Sequence, residues 1–281
     1  MPGRMRSDSL LAALGAVPNF ALNVLFALYF LASIYVYVSL IRQISVRTSV
    51  PAGESGKRFG LPEAILAAVL ISLLLRGISA SVSRPSAQVD ARDLLANLLL
   101  TFALVLFIVA FLRFRGFDLS SLGGFFRISF FRALSTGTIL ILAAYPLISL
   151  TDAITRRLFG NGSSKQSIVE LFNGSRTIEQ RIMIIVFAVA IAPVVEEFLF
   201  RFFLYGVLKR YFGRFLGITL NALLFAAAHT HFPSFAPLFI LGSCFTIAYE
   251  WSGSILVAMT MHSLFNSVSL TALAFPELFP Q

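Results

Sequence analysis

Charge is what this 281-residue chain lacks most: only 12% of its residues are Asp, Glu, Lys or Arg. A water-soluble domain carries about 25%, so this composition cannot cover a solvated surface. A soluble enzyme, a nucleic-acid-binding module and a disordered chain are thereby excluded. Cysteine is nearly absent too. The lone Cys244 permits no intrachain disulfide and belongs to no C-x-x-C or zinc-ribbon pattern. Polar stretches are also short, none exceeding roughly 30 residues, which leaves no room for a separate soluble domain. The net charge of +9 does not bring nucleic acid back as a partner. Nearly all Lys and Arg lie in gaps between apolar runs, where membrane topology and anionic headgroups account for them. No compact basic face with interleaved aromatics exists.

What the chain has in abundance is apolar surface: 58% hydrophobic residues, 30 Phe and a mean hydropathy of +0.87. Eight apolar stretches approach the ~20 residues that cross a bilayer as helix. They run over 18–41, 61–80, 93–112, 130–150, 180–208, 214–230, 234–250 and 253–273. The expected fold is all-α, a polytopic transmembrane helical bundle of about eight spans, integral to the membrane and multi-pass. Residues 1–160 supply N-terminal transmembrane helices and interfacial segments, and residues 161–281 a catalytic core of four helices. The first stretch reads as a retained helix rather than a cleaved signal, since no small-x-small site closes it. Residues 117–132 and 163–181 read as segments lying along the membrane surface. Lys and Arg divide almost evenly between the two sets of gaps and set no orientation.

Polar groups inside apolar runs are the informative ones, because a charge at a helix centre costs on the order of 2.5–3.5 kcal/mol. The fifth stretch carries Glu196, Glu197 and Arg201 in APVVEEFLFRFFLYGVLKR. Glu197 and Arg201 stand at i,i+4 with the acid N-terminal, the favourable order for a helical ion pair. Glu196 points about 100° away around the helix and has no partner on it, so it is the candidate for chemistry. Pro193 removes a donor from the same helix, frees the carbonyl of Val189 and predicts a kink.

The histidines all fall in the C-terminal third. His229 closes the sixth stretch with Phe225 one turn before it, and His262 precedes Asn266 by four positions on the eighth. Two polar side chains on one face of an apolar helix point to a cavity or a partner rather than to lipid. An acid, two histidines and an amide on three helices suit two routes to acyl-bond hydrolysis. In one, a buried carboxylate next to a histidine takes a proton from water, while the amide and second histidine donate to the oxyanion. In the other, Glu196, His229 and His262 form a two-histidine, one-carboxylate shell for a divalent metal such as zinc. Sequence does not separate them. No H-E-x-x-H helix and no G-x-S-x-G elbow is present; Ser254 reads as a turn opening the eighth helix, and His231 as an interfacial accessory.

Glu196-Glu197-x-x-x-Arg201, Phe225-x-x-x-His229 and His262-x-x-x-Asn266, in this order on successive spans, resemble the three motifs of the CPBP intramembrane proteases. That family includes the type II CAAX prenyl endopeptidases and the bacteriocin-immunity and abortive-infection proteins. Ala248-Tyr249-Glu250-x-x-Gly253-Ser254 also looks like the family's connection into its last motif helix. The resemblance covers roughly residues 180–270 and implies a membrane endopeptidase of metalloprotease or glutamate-protease type. Glu196 would be the general base, working with His229 on the attacking water. His262 and Asn266 would stabilise the oxyanion or complete the polar cavity. Glu197 and Arg201 would hold the motif helix, and Phe225 would pack or position. The implied partners are membrane lipids and a peptide substrate, either a prenylated CAAX-type tail or another membrane-associated peptide. Two other functions suit the same residues: a non-catalytic immunity or partner-binding protein on this fold, and a proton-coupled transporter.

Overall fold

A computed structural model describes residues 3–47, 58–83, 91–159, 177–230 and 232–275. Each of the eight apolar stretches is a helix, and among the described residues there is no strand. In chain order the helices are α1 (Gly3–Val46), α2 (Leu61–Ser83), α3 (Ala91–Phe114), the short α4 (Leu119–Gly123) and α5 (Phe130–Phe159). There follow α6 (Ile178–Phe212), α7 (Arg214–Ala228), α8 (Phe235–Ser252) and α9 (Ile255–Ala274). Six of these are long and apolar enough to cross a membrane. Of the other two stretches, α7 is a shorter apolar helix, Arg214–Ala228, and α3 is apolar over Leu99–Phe114. At about 1.5 Å rise per residue, the 15 residues of α7 fall short of a full hydrocarbon thickness.

The outer surface is apolar where a soluble protein would be polar. Phe20, Leu28, Phe107 and Leu158 are exposed, which suits contact with lipid. This is an integral, multi-pass membrane protein. One buried core runs through the bundle, from Ile44 of α1 and Ile141 of α5 to Phe203 of α6 and Met261 of α9. Small residues bring the helices together, as expected where lipid removes the ordinary hydrophobic drive between helices. A Cβ on Gly137 of α5 would lie 2.7 Å from Thr260 of α9, and one on Gly242 of α8 would lie 2.9 Å from Phe225 of α7.

In a membrane every backbone group must find a partner within the protein, and α5 shows how one is found. Pro146 lies inside this helix and offers no N–H to Leu142, whose carbonyl instead accepts from the Tyr29 hydroxyl of α1. Two turns away, Tyr37 of α1 donates to the Leu140 carbonyl at 2.8 Å.

The first segment expected along the surface holds α4 and the turn after it. Asp118 caps α4, accepting from the Ser120 backbone and from the hydroxyls of Ser120 and Ser121. Those donors, the Ser121 hydroxyl foremost, pull its carboxyl down to about 2. Phe126, Phe130 and Phe131 are exposed beside it. Most of the second expected surface segment, residues 163–176, lies outside the described residues, as does His231.

The α4 turn docks on the α8–α9 connection backbone to backbone. Gly124 has φ +60°, and a Cβ there would collide with the Gly253 carbonyl oxygen. Gly124→Ala is therefore expected to combine a left-handed strain of about 1–2 kcal/mol with a clash that no side-chain rotation relieves. Its unfolding midpoint in detergent should drop by several degrees. Gly77→Ala, where a Cβ meets nothing within 4 Å, should leave that midpoint unchanged or raise it.

On the same end of the bundle, Glu250 of α8 ties three elements. It accepts from the Tyr205 hydroxyl at 2.9 Å and from Lys209 at 2.7 Å, and it pairs with Arg214 at 2.8 Å. Arg214 also donates to the Ile44 carbonyl, while Trp251 donates to Gln43 at 2.9 Å. The end of α1 is thus fastened to the start of α7 and to the end of α8.

Candidate active site

The site is assembled on α6, whose backbone is not a uniform α-helix. Two wide π-helical segments, Phe187–Ile191 and Phe198–Leu204, flank the α-helical turn Ala192–Glu197 that carries both glutamates. Such wide turns are rare and cluster at functional sites. Pro193 stands at the start of that turn. In an ordinary α-helix it would leave the Val189 carbonyl without a donor, as expected from sequence. Here the Ala192 N–H reaches back to the Phe187 carbonyl, so the register has already widened by one residue. The Ala188 carbonyl is therefore left facing Pro193, which has no N–H to give. Asn266 of α9 donates to it at 2.8 Å.

Glu197 and Arg201 form the expected i,i+4 pair, Nη1 to Oε1 at 2.9 Å, with both side chains fully buried. Arg201 is enclosed by aromatic faces, its guanidinium carbon 4.3 Å from the Phe225 ring centre and 5.1 Å from that of Phe245. Its Nη2 donates to the Gly242 carbonyl at 3.3 Å, an oxygen that also accepts from Thr246. Asn221 of α7 in turn donates to Thr246. A buried polar chain thus crosses α7, α8 and α6. Hydrogen bonding of this kind is what allows charge to sit inside a bundle, although Oε2 of Glu197, Nε of Arg201 and Oδ1 of Asn221 have no hydrogen-bond partner.

The chain continues into α9. Nδ1 of His262 lies 2.9 Å from Oε1 of Glu197, the same oxygen that holds Arg201. A carboxylate facing a cation there can only accept, so Nδ1 carries the hydrogen and Nε2 is turned outward. Nε2 faces Oε2 of Glu196 at 3.8 Å. That is beyond hydrogen-bond range, and Oε2 has no protein partner. Glu196 is 31% exposed whereas Glu197 is sealed, so the two adjacent acids meet different surroundings.

His229 caps the C-terminus of α7, its Nδ1 donating to the Phe225 carbonyl at 2.8 Å. A carbonyl accepts only, so His229 likewise presents Nε2 as an acceptor when neutral. Phe225 is the hub between the histidines, its ring centre 4.7 Å from His229 and 5.8 Å from His262.

The structure therefore brings Glu196, Glu197, Arg201 and His262 into one cluster, with His229 joined through Phe225 and Asn266 attached to the α6 backbone. Sequence reasoning missed the contact between Glu197 and His262, and missed Asn221, Thr246 and Gly242. Polar Asn221 and Thr246 inside apolar runs were the available signal for two of these. Ser254 stands at the N-cap of α9 with no side-chain capping bond.

The donors are not gathered into a metal shell. Among the described residues no three His, Cys, Asp or Glu side chains are grouped to hold a metal ion. Nδ1 of each histidine is engaged, by the Phe225 carbonyl and by Glu197, which leaves the two Nε2 atoms as the imidazole donors of the site.

Fold and site together define an integral membrane protein with a carboxylate–histidine centre inside its helical bundle. Residues 178–268 match the family of type II CAAX prenyl endopeptidase Rce1-like domains. The chain is also similar to the membrane-embedded CAAX protease MroQ of Staphylococcus aureus (strain USA300), 32% identical over 108 residues. That alignment covers 36% of this chain and 44% of MroQ, so the chain spans less than half the length of the curated relative it matches. No solved structure matches. The family match covers the segment that carries the three motifs.

Proposed function

We propose that this protein is an intramembrane endopeptidase that hydrolyses a peptide bond with water activated by Glu196. The observation that carries this is the 3.8 Å gap between Oε2 of Glu196 and Nε2 of His262, with Oε2 left unpartnered. Oε2 is itself buried, so a water bridging the two atoms at about 2.8 Å from each enters as the gap opens for substrate. Glu196 takes its proton as the water oxygen bonds to the peptide carbonyl carbon. His229, its Nε2 an acceptor, works with Glu196 on the same water. The oxyanion that forms is met by Nε2–H of His262 in its protonated form, held in place by Glu197. Collapse breaks the C–N bond, and the proton on Glu196 passes to the leaving amine. No step uses a metal.

The substrate class is a peptide at the membrane, and the name carried by the matching family makes a prenylated CAAX-type tail the first to test. The experiment is cleavage by purified protein in lipid vesicles, offered farnesylated and unprenylated C-terminal peptides with and without a strong chelator. Cleavage that survives the chelator is expected. Cutting of the farnesylated peptide alone assigns the prenylated tail, and cutting of both assigns membrane peptides more broadly. If neither is cut while the folded protein is intact, the endopeptidase reading is lost.

A further inference from the structure

We infer that Asn266 is a positioning residue, which replaces the backbone donor that Pro193 lacks and so fixes the wide turn presenting Glu196 to His262. The carbonyl of Ala188 would accept from residue 192 in an α-helix and from residue 193 in a π-helix. The first N–H is taken by Phe187, and the second does not exist because residue 193 is proline. An unpaired carbonyl inside a membrane bundle is strongly unfavourable. The Asn266 amide supplies the missing donor at 2.8 Å.

Geometry gives this bond its consequence. Asn266 lies one helical turn after His262 on the same face of α9, and Ala188 lies just over two turns before Glu196 on α6. The bond therefore clamps α9 to α6 on one side of the cluster, while the His262–Glu197 contact clamps it on the other. Between the two clamps sits the gap of 3.8 Å on which water activation depends. Asn266 commits one of its two amide hydrogens to Ala188, and through that bond it acts on the placement of Glu196.

The activity arm of the test rests on the endopeptidase reading; the exchange arm does not. Asn266→Asp keeps the shape and removes the donor. In the native background it is expected to lower kcat on the order of a hundredfold, the size of effect that follows from displacing a catalytic group by about an ångström, with KM little changed. In a Pro193→Ala background residue 193 regains an N–H, and the same substitution should lower kcat by no more than about twofold beyond Pro193→Ala itself. Hydrogen exchange over residues 187–197 should rise in Asn266→Asp with Pro193 present and stay level in the Pro193→Ala background. This second readout needs no cleavage and only folded protein. Equal losses of kcat in both backgrounds, with unchanged exchange, would make Asn266 a direct oxyanion donor and overturn the inference. Failure of every protein to cleave, with the exchange pattern as expected, would remove the endopeptidase reading and leave the positioning role standing. If Pro193→Ala does not fold, exchange in Asn266→Asp and Asn266→Leu alone decides: no rise in either overturns it.

Discussion

Glu196→Gln is expected to abolish peptide cleavage while leaving the folded protein as stable as the parent. A positioned general base contributes about 10²–10⁴-fold, and glutamine keeps the shape while losing the basic oxygen. Stability should hold because Oε2 of Glu196 makes no hydrogen bond within the fold and the side chain is partly exposed. The neighbouring substitution Glu197→Gln sets the contrast. It weakens the partner of both Arg201 and His262, so it should lower the unfolding midpoint as well as kcat. His229→Ala should lower kcat, since its Nε2 is the second acceptor proposed for the water. The measurement pairs initial cleavage rates in vesicles with thermal unfolding in detergent for the three variants. Full cleavage by Glu196→Gln and His229→Ala together would end the catalytic reading. Retained biological function in a Glu196→Gln protein without any cleavage would favour partner binding, and proton flux lost in that variant would favour transport.

How much of this could be read from sequence depends on how far apart the interacting residues stand. Hydropathy located eight apolar helices because membrane burial demands long apolar runs, and each run became one helix. Their span lengths were less legible: the sixth stretch ends up as a 15-residue helix, too short to cross alone. The Glu197–Arg201 pair was legible because four residues separate it, and so was the separateness of Glu196. The Glu197–His262 contact bridges 65 positions, and no local spacing announces a bond of that kind. Pro193 signalled a break in the hydrogen-bond ladder, yet not that the Ala188 carbonyl beside it would be met by Asn266. That pairing depends on a π-helical register, which has no apolar periodicity of its own. The same holds for Tyr29 and Leu142, where the proline was visible and the hydroxyl that compensates it was not.

Removing Arg201 is expected to be the most destabilising single change in the site. Arg201 and Glu197 are both fully buried, so neither loses its charge to solvent when the other goes. Arg201→Met would leave Glu197 facing His262 alone, and it would strip the cation from between Phe225 and Phe245. Breaking a buried pair from one side costs about 3–5 kcal/mol, enough to remove much of a domain's net stability of roughly 5–15 kcal/mol. Deleting both charges at once is a different matter. A Glu197→Leu, Arg201→Met protein contains no stranded ion, and buried pairs replaced by apolar residues of similar volume are often neutral in stability. The double variant should therefore unfold at a higher temperature than Arg201→Met, by an amount read from thermal midpoints in detergent. Activity should not return with it, because Nδ1 of His262 has lost its only carboxylate acceptor and Nε2 is no longer aimed at Glu196. A double variant no more stable than Arg201→Met would mean that the aromatic enclosure and the Gly242 contact, rather than the ion pair, hold this part of the bundle together.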